Sequence, residues 1–108
     1  MRSTDPEPLL IMSGDSAAPQ LQKTLEIRNR LGLHLRAAKC LVEALAPLSA
    51  EVTLSNGDKE ANGRSILSLA TLEAVAGTMV EVRATGPQAA EALDAVEKLF
   101  ANRFGEPD

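Results

Sequence analysis

With 108 residues, 44% of them hydrophobic and only 2% aromatic, the chain suits one small domain with a core of Leu, Val, Ile, Ala and Met. A net charge of −4, the lack of any Lys/Arg cluster and the absence of Trp and Tyr argue against nucleic acid as a partner. The single cysteine, Cys40, excludes an internal disulfide, and one histidine beside it makes no ligand set for structural zinc, so no metal or cofactor is expected.

No apolar run approaches the ~18 residues that cross a bilayer. Leu9-Leu10-Ile11-Met12 follows Asp5, Pro6, Glu7 and Pro8, too short an apolar stretch with too acidic a start for a secretory signal. A cytoplasmic protein without a membrane partner is expected.

Residues 1–21 are rich in Pro, Ser, Asp and Ala without periodicity, which predicts a flexible arm ahead of a domain over 22–108. Residues 23–28 alternate, with Leu25 and Ile27 on one face, as a half-buried strand does. From 35 to 45 the pattern turns helical. Ala38, Leu41, Val42 and Leu45 form one stripe, Arg36, Lys39 and Glu43 fall elsewhere, and Pro47 closes the helix. Residues 51–54 alternate again. Asn56-Gly57 is a strong signal for a tight hairpin turn, with a short return strand over 59–61. Residues 65–72 read as a short apolar helix capped by Ser65. Val80, Val82 and Ala84 mark a strand over 79–84. Gly86-Pro87 predicts a last helix with proline at its first position, its buried stripe being Ala89, Ala92, Leu93, Val96 and Phe100 or Leu99. Four strands with helices on one face make a two-layer α/β sandwich.

The chain's only histidine lies in Gly32-Leu33-His34-Leu35-Arg36-Ala37-Ala38, where a glycine turn enters an amphipathic helix. A helix N-terminus offers unpaired N–H groups and the positive end of the macrodipole, which favours an anion there. The same field disfavours a protonated ring and leaves an imidazole nitrogen free as a nucleophile. Arg36 is placed to give a charge-assisted hydrogen bond to a phosphoryl group carried on that ring. Gly32 permits the turn that aims the ring outward.

Gly32-Leu33-His34-x-Arg36-x-Ala38 resembles the active-site motif of HPr, the histidine-containing phosphocarrier of the phosphoenolpyruvate-dependent phosphotransferase system of bacteria. The resemblance runs from about Lys23 to the C-terminus. The stretch Asn29-Arg30-Leu31-Gly32-Leu33-His34 and the tail from Ala84-Thr85-Gly86-Pro87-Gln88 to Phe100 are similar to the nitrogen-related branch of that family. It implies an open-faced sandwich whose four-stranded, mainly antiparallel sheet carries three helices on one face. It also implies a monomeric carrier rather than an enzyme. His34 would accept a phosphoryl group on Nδ1 from phosphorylated enzyme I and pass it to a histidine of an enzyme IIA-type protein, with Arg36 steadying the group.

Gly63-Arg64-Ser65-Ile66-Leu67 resembles the regulatory segment of HPr proteins that HPr kinase/phosphorylase modifies, with Ser65 at the family's spacing from His34. Phosphate on Ser65 would add about −1.5 to −2 charge at a helix start. An apolar docking patch is expected from Leu33, Leu35, Ile66, Leu67 and Leu69. Ala37 stands where the family commonly has proline, and Leu35 is bulkier than the usual residue between His and Arg.

Each residue has a plainer reading. A lone histidine at a helix start is more often a cap or a surface residue. Arg36 is by itself a solvated helix charge, Ser65 an N-cap, Cys40 a small core residue, and Ile66, Leu67 and Leu69 core apolars. Glu91, Asp94 and Glu97 make a solvated face. Two other functions compete with the carrier. One is an HPr-like regulatory interaction module switched at Ser65, which the His34/Arg36 pair disfavours as the sole role. The other is a small-molecule-binding sandwich of ferredoxin-like topology, which the extra hairpin and long last helix disfavour.

Overall fold

The computed structural model describes residues 20–107, so the arm expected over 1–21 lies, up to residue 19, outside the described residues. Seven main elements follow the expected order. They are β1 (Gln20–Glu26), α1 (Leu35–Leu45), β2 (Glu51–Asn56), β3 (Lys59–Asn62), α2 (Ile66–Ala70), β4 (Met79–Thr85) and α3 (Ala89–Ala101). The four strands make one sheet in the order β1-β4-β2-β3, and every pairing is antiparallel.

The sheet is two-sided because its sequence alternates. Val80, Val82 and Ala84 of β4, with Val52 and Leu54 of β2, are buried under the helices. The alternate residues face the open side, where Gln22 donates to Glu81 (2.7 Å) and Arg83 to Glu60 (2.9 Å). α1 contributes Ala37, Ala38, Leu41 and Leu45 to the core, and α3 contributes Ala89, Ala92, Leu93, Val96 and Phe100. The expected α3 stripe is thus met with Phe100 as its largest member, while Leu99 is only partly buried.

Boundaries differ where tertiary contacts decide them. β1 starts at Gln20, because Gln20 pairs with Thr85 and Leu21 with Ala84, so these two residues belong to the sheet and not to the arm. β1 stops at Glu26, since Ile27 leaves the ladder to exchange backbone bonds with Gly77 and Thr78. The hairpin loop is Gly57-Asp58, one position later than expected, with Asn56 paired to Lys59. Glycine leads the loop at φ 64°, as a two-residue hairpin turn with glycine first requires. α2 spans only Ile66–Ala70, and Glu73 at φ 57° then reverses the chain. Pro87 stands before α3 instead of opening it. The N-cap is Gln88, whose N–H bonds the Ser49 carbonyl (3.0 Å) while its side chain accepts from Ser49 N–H (2.7 Å). A short left-handed turn over Arg103–Gly105, unforeseen in the sequence, carries the tail back across the domain.

Candidate functional site

The segment between β1 and α1 is held from beneath by the segment before β4. Ile27 N–H donates to Thr78 O (2.9 Å) and Leu33 N–H to Ala74 O (2.9 Å). Gly32 sits between, at φ 72°, and a Cβ there would lie 2.5 Å from the Ala74 carbonyl. Only glycine fits both that conformation and that approach. The turn ends on His34, the N-cap of α1.

The His34 ring is part-buried and both its nitrogens are engaged. Nδ1 accepts the backbone N–H of Arg36 at 3.3 Å, in place of the usual Ser or Asp cap. Nε2 contacts the Glu106 carboxylate through Oε2. The first intrahelical bond runs from Ala38 N–H to His34 O (2.8 Å), so the N–H groups of Leu35, Arg36 and Ala37 lie ahead of it. Nδ1 therefore faces the donor end of an eleven-residue helix. Arg36 is exposed beside it and, with Arg30, Leu31, Glu106 and Pro107, lines a depression of about 190 Å³. A phosphoryl group on Nδ1 would meet backbone donors and a guanidinium there.

Neither Asn29, which the sequence marked only as part of the stretch leading to His34, nor Glu106 was a candidate site residue. Asn29 is wholly buried and its Nδ2 donates to Gly32 O (2.7 Å) and to Glu106 Oε1 (3.0 Å). Burial pushes the Glu106 carboxyl up, but the hydrogen bonds from Asn29 and His34, the Arg36 charge and, when the ring is protonated, that of His34 outweigh it and hold the group below the usual carboxylate value. Nothing local announces Glu106, which lies far from His34 along the chain. Asn29 at the end of a strand reads from sequence as an ordinary turn residue.

The expected docking residues divide. Leu35 and Leu67 are 57% and 75% exposed, and Ile66 is partly so, whereas Leu33 (5%) and Leu69 (0%) are core. Leu33 and Leu69 are therefore not available to a partner. Leu33 is drawn inward by its bond to Ala74, and Leu69 lies on the buried side of α2. Leu31 and Val75, both exposed, replace them beside the His34 turn, Val75 lying against Gly32. Ala37, where proline was the commoner choice, is fully buried in the first turn of α1. Ser65 caps α2, accepting Ser68 N–H at 3.2 Å, and is half-buried. Cys40 is partly buried against the core. Among the described residues no helix is long and apolar enough to cross a membrane.

An open antiparallel sandwich with a histidine capping its first helix and an arginine two residues on places the chain among the small α/β phosphocarrier proteins. The family of the PTS HPr component phosphorylation site matches residues 21–102. The chain is 44% identical over 87 residues to the phosphocarrier protein NPr of Escherichia coli, covering 80% of this chain and 97% of that protein. It is 38% identical over 86 residues to the phosphocarrier protein HPr of Xylella fastidiosa, again covering 80% and 97%. The crystal structure of HPr-C-His from Thermoanaerobacter tengcongensis superimposes with a TM-score of 0.77 at 31% identity, over 82% of this chain and 99% of that one. The chain belongs to the HPr family.

Proposed function

We propose that this protein accepts a phosphoryl group on His34 Nδ1 from phosphorylated enzyme I and passes it to a histidine of an enzyme IIA-type protein. The observation that carries the reading is the orientation of the ring, with Nδ1 turned to the Arg36 N–H at the start of α1. The Nδ1 lone pair that accepts the Arg36 N–H becomes the P–N bond, and that N–H passes to a phosphoryl oxygen at the donor end of the helix. Arg36 supplies the mobile positive charge, and Leu31, Leu35, Leu67 and Val75 the apolar surface on which partners dock. The protein turns over no small substrate and works as a monomer in the cytoplasm. The similarity to NPr supports a place in a nitrogen-related or other regulatory branch.

The test is intact-protein mass after incubation with enzyme I, phosphoenolpyruvate and Mg²⁺. One phosphoryl group, lost in mild acid and absent in His34→Ala, is the expected result. Normal labelling of His34→Ala would sink it.

A second reading is favoured by the cap of α2. Ser65 Oγ stands at a helix start, where a phosphate adds charge next to unpaired N–H groups. In that reading HPr kinase/phosphorylase modifies Ser65, switching the chain as an interaction module. Acid-stable labelling that survives His34→Ala and is lost in Ser65→Ala distinguishes it.

A further inference from the structure

The tail of the chain returns to the site. After α3, Arg103, Phe104 and Gly105 take φ of 55°, 54° and 79°, a run of left-handed backbone that non-glycine residues rarely adopt. Phe104 is buried, with its ring centroid 5.2 Å from that of Phe100 on α3. That contact fixes the turn, and the turn delivers Glu106 to the imidazole. The Glu106 side chain keeps only 9% of its surface exposed.

Asn29 dictates how the carboxylate sits. Its amide nitrogen faces two oxygens, Gly32 O and Glu106 Oε1, so a flipped amide would set oxygen against oxygen. The cost of this orientation is visible: Asn29 Oδ1 is buried and has no hydrogen-bond partner. The two contacts of the ring then agree on one tautomer. Nδ1 accepts from Arg36 N–H and so presents a lone pair, which places the proton on Nε2, the nitrogen that meets Glu106.

We propose that Glu106, oriented by Asn29, is a positioning residue that holds the Nε2–H tautomer of His34 and so restricts phosphoryl transfer to Nδ1. This deepens the proposed carrier function and rests on it. In the step, a lone pair of Nδ1 attacks the phosphorus of a phosphohistidyl donor. The P–N bond of the donor breaks and its electron pair returns to the donor's ring. The Nε2 proton stays in place, so the phosphorylated ring is a cation balanced by the Glu106 carboxylate. On onward transfer the Nδ1–P electron pair returns to Nδ1 and the ring is again neutral. The charged group on the ring is Glu106 from the tail, and Arg36 from α1 and Arg30 from the segment before it share a depression with that carboxylate.

The experiment uses the full chain, whose single histidine makes ring signals unambiguous. Ring ¹⁵N spectra of the unphosphorylated protein report the tautomer directly. ³¹P spectra after reaction with phosphoramidate, a small phosphoryl donor, report which nitrogen is modified. The wild type is expected to show the Nε2–H tautomer and the Nδ1 product alone. Glu106→Ala is expected to mix the tautomers and add an Nε2 product. Glu106→Gln keeps one oxygen to accept from Nε2–H but turns its NH2 on the Asn29 amide, so it is expected to fall between the wild type and Glu106→Ala. A Glu106→Ala protein that keeps the wild-type tautomer and gives only the Nδ1 product overturns the proposal. Should the wild type take no phosphoryl group from phosphoramidate or enzyme I, the carrier reading fails, while the tautomer spectra still decide the positioning role.

Discussion

At the scale of single residues, the site depends on one glycine and one cap. Gly32 is fixed twice, by a φ of 72° and by the Ala74 carbonyl 2.5 Å from where a Cβ would stand. Alanine there must either push away the oxygen that holds Leu33 or leave the left-handed region. We expect Gly32→Ala to cost about 1–3 kcal/mol, read as a lower urea midpoint, and to weaken phosphoryl acceptance because His34 is two residues on. Unchanged stability would show that the turn has slack. His34 is the less usual choice as a cap. An imidazole caps more weakly than Ser or Asp, as the 3.3 Å contact reflects, but its capping atom is also the nucleophile of the proposed transfer. The motif was legible because its chemistry is local: glycine, histidine and arginine within one turn of chain.

At the scale of elements, α1 and α2 each divide into a core face and an exposed face. Leu67 and Leu69 are two residues apart on α2, yet one is 75% exposed and the other wholly buried. A run of apolar residues in so short a helix has too few turns to show its period, so the sequence left both as docking candidates. The two positions should now separate experimentally. Leu67→Asp is expected to leave the melting temperature near that of the parent and to slow transfer between partners. Leu69→Ala is expected to lose about 2–5 kcal/mol by opening a cavity, seen as a large fall in melting temperature. The reverse pattern would mean that α2 is docked the other way round. Helices α1 and α3 were placed with near-correct ends because each has several turns of amphipathic sequence. The exact start of α3 was harder. Pro87 suggested a first helical position, but the bonds of Gln88 to Ser49 delay the helix to Ala89.

At the scale of the whole molecule, the site is where the two ends of the domain meet. Asn29 and His34 come from the segment after the first strand, and Glu106 from the tail, 72 residues beyond His34. This closure makes stability depend on pH. The Glu106 carboxyl is held below the usual carboxylate value of about 4.5 by its hydrogen bonds from Asn29 and His34, so the folded state binds its proton less readily than the unfolded chain. Its contribution is fully present above about pH 4.5 and is lost as the pH falls through the lower folded value. Glu73 beside Lys59 is held low as well, so the acid limb of the whole protein is not due to Glu106 alone. Comparing the parent with Glu106→Gln isolates it. The gap between their melting temperatures is expected to be widest near neutrality and to close under acid conditions. A gap that stays constant with pH would mean the carboxylate charge plays no part in the closure.

The sequence by itself determined the order of elements, the faces of α1, β4 and α3, and the place of His34 at the start of α1. Each of these is written in residues a few positions apart, through periods of 2 and 3.6 or a compact motif. Tertiary structure alone decided that Gln20 and Leu21 join the sheet, that Leu33 and Leu69 turn inward, and that Asn29 and Glu106 close on His34. Such pairings depend on strand register and on a left-handed tail turn packed against α3. No local pattern specifies contacts between residues so distant in sequence; they form only when the packed core brings the segments together.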